Sequence, residues 1–211
     1  MLQLLGKPTS INVRKVLWLC EELALPLQLQ PWGSGHRDTL VPEFLALNPN
    51  GLVPVLRESG PGGDFVLWES NTICRYLSTR AQRSDLLPTA PRARATVEQW
   101  MDWQATELNT AWRYAFMALV RHSPAHGEAA AVQASVVLWN RLMMLLDAAL
   151  ERSGAYVAGE VFTLADIVLG LSANRWAMTP MQRPTLPALQ AWLGRLADRP
   201  GYRLHAANGV A

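Results

Sequence analysis

Apolar and polar positions follow two rhythms along this chain, and the rhythm changes once. Residues 2–5 form a short apolar run closed by Gly6, Pro8, Thr9 and Ser10, which predicts a strand ending in a turn. From Val13 the apolar positions Val13, Val16, Leu17, Cys20 and Leu23 recur at helical spacing. Arg14, Lys15, Glu21 and Glu22 fall largely on other faces, and Pro26 stops the helix. Residues 27–32 predict a second strand, so the opening is β-α-β with parallel strands and a right-handed crossover. A polar, turn-rich stretch over 33–39 precedes a short helical piece at 42–47. The cluster Glu58-Ser59-Gly60-Pro61-Gly62-Gly63-Asp64 predicts a loop closing an antiparallel hairpin between Val55-Leu56 and residues 65–68. A helix starting near Glu69-Ser70 carries Ile73, Tyr76 and Leu77 and frays over 78–84.

The period then becomes helical throughout. Residues 81–91, with two prolines among scattered polar positions, predict a linker between a domain over 1–80 and a second over 92–211. Helices are predicted over 93–121, 128–152, 164–177 and 187–198. The stretch Val136-Val137-Leu138 with Leu142, Met143, Leu145, Leu146 and Leu150 is apolar on more than one face, as in a helix at the middle of a bundle. The same holds for residues 167–171. Thr163-Leu164-Ala165-Asp166 has the form of a capping box, the Thr163 hydroxyl capping an N–H and Asp166 reaching back. The sum is a mixed-sheet α/β domain followed by an all-α domain.

Composition narrows the function classes. Half of the 211 residues are hydrophobic and 17% are charged, which describes a globular protein with a core. Nineteen basic and 17 acidic residues leave a net charge of +2 with no run of one sign, so no nucleic-acid footprint is present. The N-terminal apolar run is too short for a signal peptide, and no 18-residue apolar run is present, which predicts a cytoplasmic protein. Cys20 and Cys74 sit in helical patterns as buried thiols. His36, His122, His126 and His205 lack metal-ligand spacing, so no metal is expected.

One position resists this ordinary reading. Pro54 heads an apolar strand, where it cannot donate a ladder hydrogen bond. A cis Val53-Pro54 bond in a tight turn accounts for it and would turn the Val53 backbone toward an extended ligand. A trans proline opening the strand is the alternative. Polar residues gather at the ends of nearby elements: Ser10 and Asn12 before the first helix, Asn50 at the turn, Glu69 and Ser70 at the next helix start. Each of Ser10, Asn12 and Ser70 also reads as a helix cap. Two helix N-termini facing one crevice would suit an anionic ligand.

Their order and spacing resemble the cytosolic glutathione transferases, of the bacterial, serine-type, theta-like kind. The likeness rests on Thr-Ser-x-Asn-x-x-Lys after the first strand, Asn-Pro-Asn-Gly-x-Val-Pro-x-Leu, Glu-Ser about fifteen residues on, and Leu-Ala-Asp in the capping box. It covers nearly the whole chain.

The resemblance implies a thioredoxin-like N-terminal domain, an all-helical C-terminal domain and a homodimer. The expected activity is conjugation of glutathione to small hydrophobic electrophiles, in detoxification, with glutathione as co-substrate and no cofactor. Glutathione-dependent dehalogenation, peroxide reduction, or binding without catalysis are the alternatives. By this likeness Val53, before cis Pro54, pairs with the cysteinyl part of glutathione. Glu69 and Ser70 hold its γ-glutamyl end, and Asn50, His36 and Arg37 are candidates for its glycyl end. Ser10 is the first choice for holding the thiolate, with Thr9 and Asn12 as rivals. The family's tyrosine and cysteine have no counterpart over residues 4–12, so no thiol-disulfide role is expected. The electrophile site, placed by the family between the domains, draws on Trp103, Trp112, Arg113, Phe116 and Met117, each aromatic of which also reads as core.

Overall fold

The computed structural model describes residues 2–60 and 63–211, and it divides into two compact units, Met1–Ser84 and Asp85–Ala211. The first carries β1 (Leu2–Leu5), α1 (Ile11–Glu22), β2 (Gln28–Gln30), α2 (Pro42–Leu45), β3 (Val55–Gly60), β4 (Gly63–Trp68) and α3 (Ser70–Arg80). The sheet order is β2-β1-β3-β4, with β1 and β2 parallel and the other pairs antiparallel. This is the thioredoxin-like arrangement expected. Alternation sorts the sheet into two faces. Leu5 and Val55, cross-strand partners, pack with Trp32 and Phe44, whose rings lie 4.9 Å apart. The neighbouring pair Leu4 and Leu56, also fully buried, points the other way.

Several local expectations change. α1 begins at Ile11 and ends at Glu22, short of Pro26. Ala24 turns into the left-handed region at φ 48°, and the N–H groups of Ala24 and Leu25 close on the carbonyls of Glu21 and Cys20. That pair of bonds ends a helix without a proline. Arg14 and Lys15 are not on a solvated face: they are 0% and 1% exposed, and Lys15 Nζ donates to Asn71 Oδ1 at 3.1 Å. α1 packs on α3, so a lysine stem buried between them reaches an amide on the partner helix. The second strand is three residues long, and Trp32 instead bridges to Arg37 across a tight turn. Most of the loop expected over 58–64 is strand: Glu58 pairs with Phe65, Ser59 with Asp64 and Gly60 with Gly63, and Arg57 Nε donates to Asp64 Oδ2 at 2.7 Å. Pro61 and Gly62 lie outside the described residues.

The second unit is helical: α4 (Pro91–Trp103), α5 (Asn109–Leu119), α6 (Ala129–Ser153), α7 (Leu164–Met178), α8 (Pro187–Ala197) and α9 (Pro200–His205). The single helix expected over 93–121 is interrupted by a π-turn at Gln104–Leu108. There Gln104 Nε2, buried, donates to Asn109 Oδ1 and to Ser172 Oγ of α7, each at 3.0 Å. Such an inserted residue re-aims a helix. Leu86 and Leu87 are buried, and Leu86 carbonyl accepts from Leu164 N–H at 2.9 Å. α7 is buried at every residue from Leu164 to Trp176. α6 is not a central helix: Val137, Leu138, Met144 and Leu145 are exposed, because α5 and α8 cover only part of it. The short α9 was not anticipated; Pro200 at its first turn was its signal.

Candidate functional site

The segment from α2 to β3 is knitted by one buried side chain. Asn48, 3% exposed, accepts the N–H and the side-chain Nδ2 of Asn50 at 3.1 and 3.0 Å, and donates through its own Nδ2 to Leu52 carbonyl at 2.7 Å. An asparagine holding its own turn in this way mimics a backbone turn. Gly51 sits at φ 62°, a left-handed conformation that favours glycine, while the nearest atom to a Cβ there, Leu40 Cδ2 at 2.9 Å, ends an exposed side chain that can move aside. The Val53–Pro54 bond that follows is cis. Val53 packs against the Leu5, Trp32, Phe44 and Val55 cluster.

Gly6 brings the first polar segment alongside. A Cβ there would lie 2.4 Å from Val13 Cγ2 and 3.3 Å from Val53 Cβ, so the chain leaving β1 runs against both the first turn of α1 and the proline turn. Ser10 is the N-cap of α1 by backbone geometry, at φ −73° and ψ 126°. Its N–H donates to Lys7 carbonyl and its own carbonyl accepts Arg14 N–H. Its hydroxyl makes no capping bond, which leaves it open to other partners. On the far side, Glu69 precedes α3 at φ 71° and ψ 108°. A non-glycine residue in that region is uncommon and marks backbone held in place by its surroundings, often at a ligand site.

These pieces enclose a cleft of about 60 Å³ lined by Asn12, Asn48, Asn50, Leu52, Val53, Pro54, Glu69 and Ser70. Six of the residues singled out in the sequence, Asn12, Asn50, Val53, Pro54, Glu69 and Ser70, are thus brought together. Asn12 and Ser70 stand in the first turns of α1 and α3, whose unpaired N–H groups carry about half a positive charge at each terminus. A wall of amides, a hydroxyl, two helix N-termini and one carboxylate can hold a zwitterion with a carboxylate at the helix ends and an ammonium at Glu69.

Other candidates stand apart from this lining. Thr9 is exposed, and Ser10 is half-buried beside Asn12. His36 is exposed, its N–H donating to Gly33 carbonyl at 2.8 Å. Arg37 stacks over the Trp32 ring at 3.8 Å and pairs with Glu43 at 2.5 Å. Asn48 and Leu52 line the cleft but were not singled out as site residues. Both stand inside the Asn-Pro-Asn-Gly-Leu-Val-Pro motif, and the Asx-turn habit of Asn48 was the available signal.

In the helical unit the aromatic candidates separate. Trp103 meets Trp100 edge-on at 5.2 Å. Trp112 and Phe116 meet at 5.4 Å, Trp112 lies 6.3 Å from Trp139, and the Arg175 guanidinium stands over Trp112 and Phe116 at 4.5 and 4.0 Å. Met117 is half-buried and Arg113 is exposed. Two basic groups stand against these rings: Arg175, 3% exposed on α7, closest to both, and Arg121, 5.4 Å from the Phe116 ring; the first lies in an apolar helix whose sequence gives no sign of this role. Among the described residues no group of three or more His, Cys, Asp or Glu side chains is placed to hold a metal ion.

Comparison with known proteins matches both units. Residues 9–80 match the family described as glutathione S-transferase, N-terminal domain, and residues 108–200 the glutathione S-transferase, C-terminal domain. The chain is 37% identical to glutathione S-transferase GstB of Escherichia coli over 203 residues, 96% of each chain. It is 32% identical to glutathione S-transferase 3 of Zea mays, over 96% of this chain and 91% of that one. Among solved structures it resembles the theta class glutathione S-transferase from Xanthomonas axonopodis pv. citri with glutathione bound. That match has a TM-score of 0.91 and 36% identity over 100% of this chain and 99% of the other.

Proposed function

Because this chain belongs to the glutathione S-transferase family, we propose that it conjugates the thiolate of glutathione to small hydrophobic electrophiles. The observation that carries this reading is the cleft at the proline turn, where Val53 and cis Pro54 stand between Asn12 at the start of α1 and Ser70 at the start of α3. Glutathione is an extended peptide with carboxylates at both ends and an ammonium at one. Val53 offers its backbone to the cysteinyl unit in the manner of an added strand. Ser70 and the α3 N-terminus take the γ-glutamyl carboxylate, and Glu69 takes the ammonium. Asn50 faces the glycyl end, with His36 and Arg37 beyond the cleft wall.

The thiol must ionise near neutral pH, although a free thiol has a pKa of about 8.5. A hydrogen bond to sulfur and the positive end of α1 both favour the anion, which then attacks without a general base. Ser10 is the group assigned to that bond, since its hydroxyl is not spent on capping. Asn12, in the cleft wall, is its rival, and Thr9 is the more remote third. The electrophile is assigned to the aromatic surface of the helical unit around Trp103, Trp112, Arg113 and Phe116. The full reading includes a homodimer acting in the cytoplasm in detoxification, with the dimer open to test by sedimentation.

With a model aryl halide as electrophile, Ser10→Ala lowers kcat about tenfold or more, as loss of one donor to a developing or stored anion does, while glutathione affinity holds. Unchanged turnover would reject Ser10 and move the assignment to Asn12. Failure of the wild-type protein to bind immobilised glutathione would overturn the whole reading.

A further inference from the structure

The cleft at the proline turn is short of positive charge for the ligand assigned to it. Glu69 is the one charged side chain among its lining residues. Glutathione with its thiol intact carries two carboxylates and one ammonium, hence a net negative charge that grows once the thiol ionises. The two helix N-termini supply about half a positive charge each, which Glu69 offsets. Arg37, the cation named for the glycyl end, stands outside the lining and is paired with Glu43. A full positive charge behind the cleft would restore the balance.

Lys15 is placed to supply it. It follows Asn12 by three positions on α1, so the two share a face of that helix, whereas Arg14, two positions on, turns to another. Asn12 lines the cleft, and the lysine, 1% exposed, lies behind the lining. Its Nζ donates to Asn71 Oδ1 at 3.1 Å. Asn71 follows Ser70 in the first turn of α3, and both are buried. The ammonium therefore stands against the first turn of α3, one residue removed from the serine assigned to the γ-glutamyl carboxylate. A cation shielded from solvent is little screened, so its field reaches that position. A mere tie between α1 and α3 has no need of a charge, because a neutral amide could bridge two helices at a smaller desolvation cost.

We propose that Lys15 is a positioning residue for glutathione: from behind the cleft wall its ammonium draws the γ-glutamyl carboxylate onto Ser70 and the N-terminus of α3. The inference rests on the glutathione reading of the cleft and adds to it a residue outside the lining. Lys15 acts through its field and through Asn71, which it holds in place, and takes no part at the reacting sulfur.

Equilibrium binding of three ligands to the full chain tests this. They are glutathione, γ-aminobutyryl-cysteinylglycine, which keeps the ammonium but lacks the γ-glutamyl α-carboxylate, and the glycyl ethyl ester of glutathione. In the wild type the missing α-carboxylate weakens binding by about a hundredfold. Lys15→Gln keeps an N–H donor for Asn71 and removes the charge. It weakens glutathione about tenfold and the γ-aminobutyryl analogue hardly at all, so the penalty for the missing carboxylate shrinks by about the same factor. Lys15→Met, which keeps the stem, does likewise, and Lys15→Arg, which keeps the charge, retains the wild-type discrimination. The penalty for esterifying the glycyl carboxylate is the same in every variant. Equal weakening of all three ligands by the Gln and Met variants would reduce Lys15 to a strut between helices, and unchanged glutathione affinity would remove it from the site; either result overturns the proposal while the glutathione reading stands. A wild type that fails to bind glutathione overturns both.

Discussion

α6 and α7 lie in the same unit and share one sequence character, an apolar surface on more than one face, yet they end in different environments. α7 is buried from Leu164 to Trp176. α6 is, by length and composition, apolar enough to cross a membrane, but only 28% of its most apolar 18-residue window is buried, and Val137, Leu138, Met144 and Leu145 face outward. The difference lies in the polar residues. α7 carries Asp166, Ser172 and Arg175 inward, and each has a partner inside the unit. Asp166 alone accepts from the N–H groups of Val157 and Thr163, from Thr163 Oγ1 and from Trp192 Nε1, at 2.9–3.1 Å. α6 turns Arg141 and Gln133 to solvent among its exposed apolar residues. A helix is central when its polar groups find partners in the interior, and apolarity all round does not establish that.

The contrast is most open to test at Asp166. Asp166→Ala leaves three buried N–H groups without an acceptor, each costing roughly 1–3 kcal/mol, so a loss of about 3 kcal/mol or more is expected from urea unfolding. Asp166→Asn, which keeps one acceptor oxygen, should lose less, and an unchanged urea midpoint for both would deny α7 its anchoring role.

Next in size is a matched pair of truncations. Leu169→Ala, at a fully buried site of α7, is expected to cost about 2–5 kcal/mol, and Leu145→Ala, 46% exposed on α6, within about 0.5 kcal/mol. Equal costs would mean that the outer face of α6 is covered in solution.

The caps give a smaller version of the same difference. The predicted capping box is made at α7, with the Asp166 carboxylate on Thr163 N–H, and Thr163→Ala should cost about 0.5–2 kcal/mol. At α6 the exposed Glu128 carboxylate accepts the N–H groups of Ala130 and Ala131 at 2.9 and 2.5 Å. Glu128→Ala is expected at the low end, about 0.5 kcal/mol, by thermal unfolding.

The mildest effect near neutral pH carries the contrast into the first unit, where α1 and α3 hide thiols as thoroughly as α7 hides its leucines. Burial is the main force pushing Cys20 up to about 12; for Cys20 the neighbouring Cys74 adds to it. Cys74, also raised to about 12 by burial, is pulled back in part by Lys15 and Arg75. Unfolded thiols titrate near 8.5. The folded values being higher, their stabilising contribution is complete below about pH 8.5 and is lost as pH rises toward 12. A thiol reagent at pH 8 should leave the native chain unlabelled and modify both cysteines in urea; labelling of the native protein would place a thiolate at the surface.

Much of the first unit was legible because its signals are local. Pro54 at the head of an apolar strand, the Asn-Pro-Asn-Gly turn and the Glu-Ser pair before α3 each announce a backbone feature, and the cleft collects all three. The burial of Arg14 and Lys15 was not legible. Helical spacing assigns a face to each residue but does not say whether a second helix will cover it, and Asn71 lies 56 residues from Lys15. Arg175 escaped for a similar reason, since a basic residue in an apolar helix says nothing about which rings, far along the chain, will stack on it.

Short-range chemistry therefore set the kind and order of most elements, the cis turn, the capping box and the motif order that carries the family. These depend on a few neighbouring residues and the hydrogen bonds within their reach. Which of two apolar helices became the centre, where the buried charges found partners and which aromatic residues surround Arg175 were decided by contacts between elements distant in sequence. Packing is a property of pairs of surfaces, and a single helix carries only one of the two.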